Sequence, residues 1–116
     1  MTQNQLYQDR LLEGEVILAE IRGELRSPAA AKGQCNGRLV ATTNRLLFFC
    51  ERDRQHRFDE FAYHKIEAIS LKRNFKNELR IIFDTDDELQ MVEKLENDEL
   101  AQYFVELIQS KILENF

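Results

Sequence analysis

Apolar residues fall at every second position in one short segment after another, with turn-forming residues between the segments. A two-residue period puts alternate side chains on one face of a strand, so each segment can bury one face and wet the other. Ile17, Ala19, Ile21, Gly23 and Leu25 alternate in this way, with Glu20, Arg22 and Glu24 left for water. Leu79, Ile81 and Phe83 repeat the pattern. Arg38 to Thr42, Leu46 to Cys50, the stretch through His56, Phe58 and Phe61, Ile66 to Arg73, and Leu89 to Leu95 complete a set of short extended segments. About seven such strands at regular spacing indicate an antiparallel sandwich or barrel.

The punctuation is sparse. The chain holds four glycines and one proline in 116 residues, so most of it is expected to be regular structure. Ser27 to Gly37 is the main expected loop, with the proline and two of the glycines. Thr43-Asn44, the polar run from Glu51 to Gln55, and Asp84 to Asp87 are expected turns. Asn74 to Asn77 reads as a hairpin turn without glycine, because asparagine tolerates the left-handed conformation best among the alternatives.

Both ends of the chain read as helical. Thr2 followed by Gln5 forms a capping-box pattern, Leu6, Tyr7 and Leu11 share a side, and Gly14 is a candidate C-cap. At the other end Asn97 is a good N-cap, and Asp98 and Glu99 complement the helix dipole. The domain organisation is therefore one unit over residues 1–116. It has a helical extension over 1–13, strands over 15–95 and a capping helix over 97–114. Leu100, Phe104, Leu107 and Ile108 form the inner stripe of that helix. Its apolar arc extends through Ala101, Val105, Ile112 and Phe116, wider than a helix lying on one core needs. Two readings follow. Either the N-terminal helix covers the extra side through Tyr7 and Leu11, or those four residues form an oligomer face.

Seven antiparallel strands followed by one helix is the order of the pleckstrin-homology superfold, and two segments carry a resemblance at the level of residues. The run from Gly37 through Thr42, Thr43, Asn44 and Arg45 to Phe49 resembles the second hairpin of bacterial PH-like and GRAM-related domains, the YokE-like group. Phe61, Tyr63, Lys65, Ile66 and Ile69 resemble a later stretch of the same family, and Leu12 to Glu15 resembles its lead-in to the first strand. The similarity spans roughly residues 12 to 113. It implies a mainly β fold with helices: a PH-like seven-stranded antiparallel barrel or sandwich capped by a C-terminal helix. Leu47 and Phe49, or their neighbours, would fill the barrel, and Ile66 and Ile69 would anchor the returning chain. The resemblance supplies no catalytic residue. Some bacterial PH-like domains assemble into rings, which implies a homo-oligomer without placing its interface.

Charge narrows the partners. The net charge is −5, whereas a duplex-binding domain is usually basic, so nucleic acid is not expected. Residues 38–73 carry eight basic against five acidic groups, and residues 74–100 carry three against nine. Such separation suits protein docking better than polyanion binding. Arg22, Arg26 and Lys32 flank the first long loop, and Lys72, Arg73, Lys76 and Arg80 straddle the later hairpin with Phe75 at its tip. These seven cations are the candidate patch for an anionic ligand.

No constellation for catalysis, metal or cofactor emerges. Cys50, His56 and His64 lack the short paired spacings and fourth ligand of a zinc site. Asp84, Asp86, Asp87 and Glu88 lack the glycine and distal glutamate of a calcium loop. Gly33 to Gly37 lacks the lysine of a P-loop. Two cysteines do not make a disulfide framework. The N-terminus is neither basic nor followed by an apolar stretch, and no transmembrane run exists, so the expected compartment is the cytoplasm, with a peripheral membrane position as the variant. The expected function is a non-catalytic interaction module that binds protein and self-assembles; the alternative is peripheral binding of anionic lipid or a phosphorylated ligand through the basic residues.

Overall fold

The computed structural model describes residues 10–26, 35–50, 58–86 and 88–114. Seven strands, β1 (Ile17–Arg26), β2 (Cys35–Thr42), β3 (Arg45–Cys50), β4 (Phe58–Ala62), β5 (Ile66–Arg73), β6 (Leu79–Thr85) and β7 (Glu88–Glu93), precede one helix, α1 (Asp98–Glu114). A single 3-10 turn, Tyr63–Lys65, joins β4 to β5. The strands form one antiparallel sheet in the order β4-β3-β2-β1-β7-β6-β5. The sheet bends over itself as a sandwich and is not a closed barrel, because no pairing among the described residues joins β4 to β5. Phe61 on β4 meets Phe83 on β6 edge-on across the interior, with ring centroids 5.1 Å apart.

Helix α1 plugs this interior. Asn97 caps it as expected: the Leu100 amide donates to Asn97 Oδ1 at 2.9 Å. Ala101, Phe104, Val105 and Ile108 are all buried against Ile21, Leu25, Ile69, Ile81, Phe83 and Val92. Gln109 turns to the edge strand and donates to the Ile69 carbonyl at 3.0 Å, satisfying an edge acceptor of β5. The wide apolar arc thus has a cause within the chain, since a helix seated in the mouth of a bent sheet has core on more than one side. The residues of the expected oligomer face are mostly drawn into that core. Ala101 (0% exposed) and Val105 (4% exposed) are core residues, Ile112 packs partly buried on the same core, and Phe116 lies outside the described residues.

Strand β3 settles a register that its apolar run left open. Leu46 and Phe48 face the core, and Leu47 and Phe49 face the opposite side, where with Val40 they make a small second cluster. Leu11, Ile17 and Phe58 pack on that cluster. Leu11 therefore lies against the outside of the sheet and does not back α1. Of the helix expected over residues 1–13, residues 1–9 with Tyr7 lie outside the described residues, and Leu11–Val16 carries no helix but turns at Glu13-Gly14 (Gly14 φ 80°). Asn44 does not adopt a positive φ. Asn77 does, at 66°, in the hairpin that ends β5. Asn74 Oδ1 organises that hairpin by accepting from the Lys76 and Glu78 amides at 2.9 and 3.0 Å.

Strand β2 begins inside the expected loop. A Cβ on Gly37 would lie 1.9 Å from the Phe49 carbonyl oxygen, so the close approach of β2 to β3 requires glycine there. Two residues earlier, Cys35 reaches Cys50 on β3, which the register places opposite Gly37, and the two form a disulfide with Cα atoms 5.8 Å apart. Sequence reasoning missed this bond. It closes a 15-residue separation, for which denatured-state entropy alone gives about 3 kcal/mol. Reduction with dithiothreitol is expected to lower the thermal midpoint, and a Cys35→Ser, Cys50→Ser chain should match the reduced protein and stop responding to reductant.

Candidate functional site

Two polar assemblies stand on the outside of the sheet, and they differ in kind. The first is a structural latch built on the Thr42-Thr43-Asn44-Arg45 turn. The Thr42 hydroxyl accepts the Asn44 and Arg45 amides at 3.1 and 3.0 Å and donates to Glu15 Oε2 at 2.5 Å. The Arg45 guanidinium binds Glu15 through Nε (3.0 Å) and Nη2 (3.1 Å), reaches the Arg10 carbonyl at 2.7 Å, and pairs with Glu60 on β4. It also lies 5.7 Å from the centre of the Phe58 ring. The Glu15 side chain is fully buried. Burial raises its carboxyl, but hydrogen bonds from Arg45, Thr42 and the Leu12 amide outweigh that, and it titrates below the ordinary range. Tyr63 closes the assembly from the core side, donating to the Thr42 carbonyl at 2.6 Å, and burial pushes its hydroxyl upward. Every group in the latch is spoken for, so its role is to pin the N-terminal lead-in to β3 and β4.

The second assembly is the outer face of β1, β7, β6 and β5. Its rows follow from the register. Lys72 on β5 pairs with Arg80 on β6. Ser70, Ile82, Met91 and Arg26 form one row across all four strands. Ala68, Asp84 and Leu89 form the next. Arg26 and Arg80 share one carboxylate, Glu93, at 3.2 and 3.8 Å. Lys72 and Arg80 are like charges directly opposite each other, an unfavourable arrangement that Glu93 offsets on the Arg80 side. Arg80 also lies over Met91, with Nη1 3.8 Å from the sulfur, and its Nε is the one buried side-chain polar atom without a hydrogen-bond partner among the described residues.

The seven cations picked from sequence therefore divide. Arg26, Lys72 and Arg80 converge on this face, which strand order alone could reveal, since β1 and β7 are far apart in sequence. Arg22 lies further along β1 and lines a cleft of about 300 Å³ with Gly23, Asn36, Gly37, Lys94 and Glu96. Glu96 spans that cleft, accepting the Arg22 amide at 2.9 Å. Arg73 and Lys76 stand at the β5–β6 tip, where Arg73 donates to the Asn77 carbonyl at 2.9 Å and Phe75 is 95% exposed. Lys32 lies outside the described residues. Acids offset the remaining β1 face: Glu20 pairs with Arg38 at 3.2 Å and Glu24 with Lys94 at 3.4 Å.

The residues weighed for metal chemistry are dispersed. Cys50 is bonded to Cys35, His64 is exposed in the 3-10 turn, and His56 lies outside the described residues. No group of three or more potential metal ligands occurs among the described residues. Asp84 lies on β6 and Glu88 opens β7, and Asp86, with φ 46°, is in the turn between them. No helix among the described residues is long and apolar enough to cross a membrane.

The sequence profile of the family described as "Bacterial PH domain" matches residues 11–110. The chain belongs to that family. Solved structures agree on the fold. The Vps36 N-terminal PH domain superposes with a TM-score of 0.71 at 17% identity, covering 90% of this chain and 83% of that one. The C-terminal domain of an unknown protein from Leishmania infantum gives 0.70 at 17% identity, covering 95% and 94%. The pleckstrin homology domain of USP37 gives 0.64 at 13% identity, covering 84% and 97%. No curated protein matches the sequence. PH domains are typically interaction modules and generally non-catalytic, and they commonly bind proteins or lipids.

Proposed function

We propose that this domain is a non-catalytic interaction module that binds protein, a second copy of itself included, through the outer face of β1, β7, β6 and β5. The observation that carries the reading is the convergence of Arg26, Lys72 and Arg80 beside the half-exposed Ile82 and Met91. Cations around a partly apolar patch favour docking to protein, where buried aliphatic contacts add to charge pairing. Helix α1 offers less of such a surface among the described residues, because Ala101, Phe104, Val105 and Ile108 are buried in the core. The test is solution mass at micromolar concentration together with affinity capture from native lysate. The wild-type chain should gain mass or retain a protein that an Arg26→Glu, Lys72→Glu variant loses. Monomer in both, with equal capture, contradicts the reading.

A second reading has one observation in its favour. Phe75 is almost fully exposed at a hairpin tip that also carries Arg73 and Lys76, a combination suited to the surface of an anionic membrane or to a phosphorylated ligand. Co-sedimentation with phosphatidylserine vesicles at low salt, lost at high salt and lost in Phe75→Ser, is the expected result under it. Absence of binding at low salt removes it.

The proposed compartment is the cytoplasm, free or at a membrane surface. The Cys35–Cys50 bond stands against it and supplies the test, because a reducing cytoplasm keeps Cys35 and Cys50 as thiols and an oxidising compartment keeps the bond. Alkylation of both residues in rapidly quenched cells supports the cytoplasm, and protection of both contradicts it.

A further inference from the structure

The outer face of β5, β6 and β7 is ordered by charge along the strands. One end carries Lys72 and Arg80, opposite each other. Two residues further along lies the row of Ser70, Ile82 and Met91, and two residues beyond that the row of Ala68, Asp84 and Leu89. Glu93 lies beside Arg80 in the first row, so the face runs from a row of two cations and one acid through an aliphatic row to a row whose one charge is acidic, over four residues, about 13 Å. Ile82 and Met91 are half-buried, while Ala68 and Leu89 are exposed. The acidic end continues into the turn with the exposed Asp86.

We infer that this face is self-complementary and docks a second copy of the chain by two-fold symmetry. The inference rests on the self-association part of the proposed function and gives it a geometry. A two-fold axis along the middle row reverses the strand direction of the second copy. It sets Ile82 against Ile82 and Met91 against Met91, and it brings Arg80 of each copy opposite Asp84 of the other. Lys72 stands beside the same contact. An isologous interface needs a patch that satisfies itself in this way, and each charged contact is made twice. The occupant is a second copy because the complementary acids lie on the same face, at the spacing the axis requires.

The local chemistry agrees. Arg80 is held by Glu93 only at 3.8 Å and by the Met91 sulfur at 3.8 Å, and Lys72 opposes it with the same charge. A carboxylate arriving from outside relieves that opposition. A bilayer supplies carboxylate and phosphate too, but it would meet the acidic row and turn of the same face at equal depth. The patch spans three strands and is small by the standards of stable dimers, so association is expected to be weak, concentration-dependent and salt-sensitive.

Charge reversal tests the geometry. Sedimentation velocity on the intact chain at low salt should show a monomer–dimer equilibrium that stops at dimer. Arg80→Glu and Asp84→Lys should each weaken it by about tenfold or more, since each sets like charges against each other. The chain carrying both changes should return to near wild-type association, because reversing both ends restores self-complementarity. Circular dichroism on every variant establishes that it is folded; should either charge reversal fail to fold, Arg80→Gln or Asp84→Asn takes its place, with a smaller loss in the same direction. Association that survives both single changes, or a double variant no better than either single one, overturns this face and leaves self-association standing. A wild-type chain that stays monomeric at low salt up to millimolar concentration overturns both.

Discussion

Replacing Arg45 by alanine is expected to cost about 3–5 kcal/mol of folding stability, read as a fall in the urea midpoint. Removing one member of a buried pair strands its partner, and the cost is the uncompensated charge more than the lost attraction. Glu15 is that partner, with a fully buried side chain held by Arg45, Thr42 and the Leu12 amide. The double change Glu15→Leu, Arg45→Met should recover most of the loss, because an apolar pair of similar volume leaves no charge unpaired. The pH dependence has a definite sign. The folded-state carboxyl of Glu15 titrates below its unfolded value. The stability it contributes is therefore present above about pH 4.3, the unfolded value, and is lost as pH falls through the lower folded value. Glu15→Gln should flatten that acid limb of the stability curve. An Arg45→Ala loss under about 1 kcal/mol, or an unchanged acid limb in Glu15→Gln, contradicts the latch.

Phe104→Ala is expected to cost a similar amount, about 3–5 kcal/mol, because it removes a large side chain from the centre of the core and leaves a cavity that the sheet cannot close. Phe104 is fully buried where α1 enters the mouth of the sheet. Its neighbour supplies the control: Tyr103 is 55% exposed on the same helix, and Tyr103→Ala should fall within about 0.5 kcal/mol of wild type. Equal losses for the two changes would mean that α1 is not the plug of the fold.

The strand pattern was legible because alternation is a local property. It placed β1, β5 and β6 from Ile17 to Leu25, from Ile69 to Leu71 and from Leu79 to Phe83, and the capped start of α1 was equally local. What depends on distant neighbours was not legible. Within the continuous run Leu46 to Cys50 a two-residue period has two phases, and packing from β1, β6 and α1 decided for Leu46 and Phe48. The arc through Ala101 and Val105 was read correctly in width, but its cover depended on how far the sheet bends around the helix. Gly37 looked like a loop glycine because composition cannot show a carbonyl 1.9 Å from where a Cβ would be. The cysteines looked unpaired because a diagonal bond between β2 and β3 needs the register of Gly37 with Cys50. Arg26 and the Lys72–Arg80 hairpin looked like separate patches because nothing local says that β1 and β7 are neighbours, and the Glu15–Arg45 pair was missed for the same reason.

The most direct test of where this domain makes its contacts is the amide NMR spectrum of the wild-type chain, recorded by dilution from high to low protein concentration. The account predicts concentration-dependent shifts at Ser70, Ile82, Leu89 and Met91, with the exposed side of α1 around Tyr103 and Leu113 unmoved. Shifts centred on Tyr103 and Leu113, with the β5–β6–β7 face silent, would contradict it.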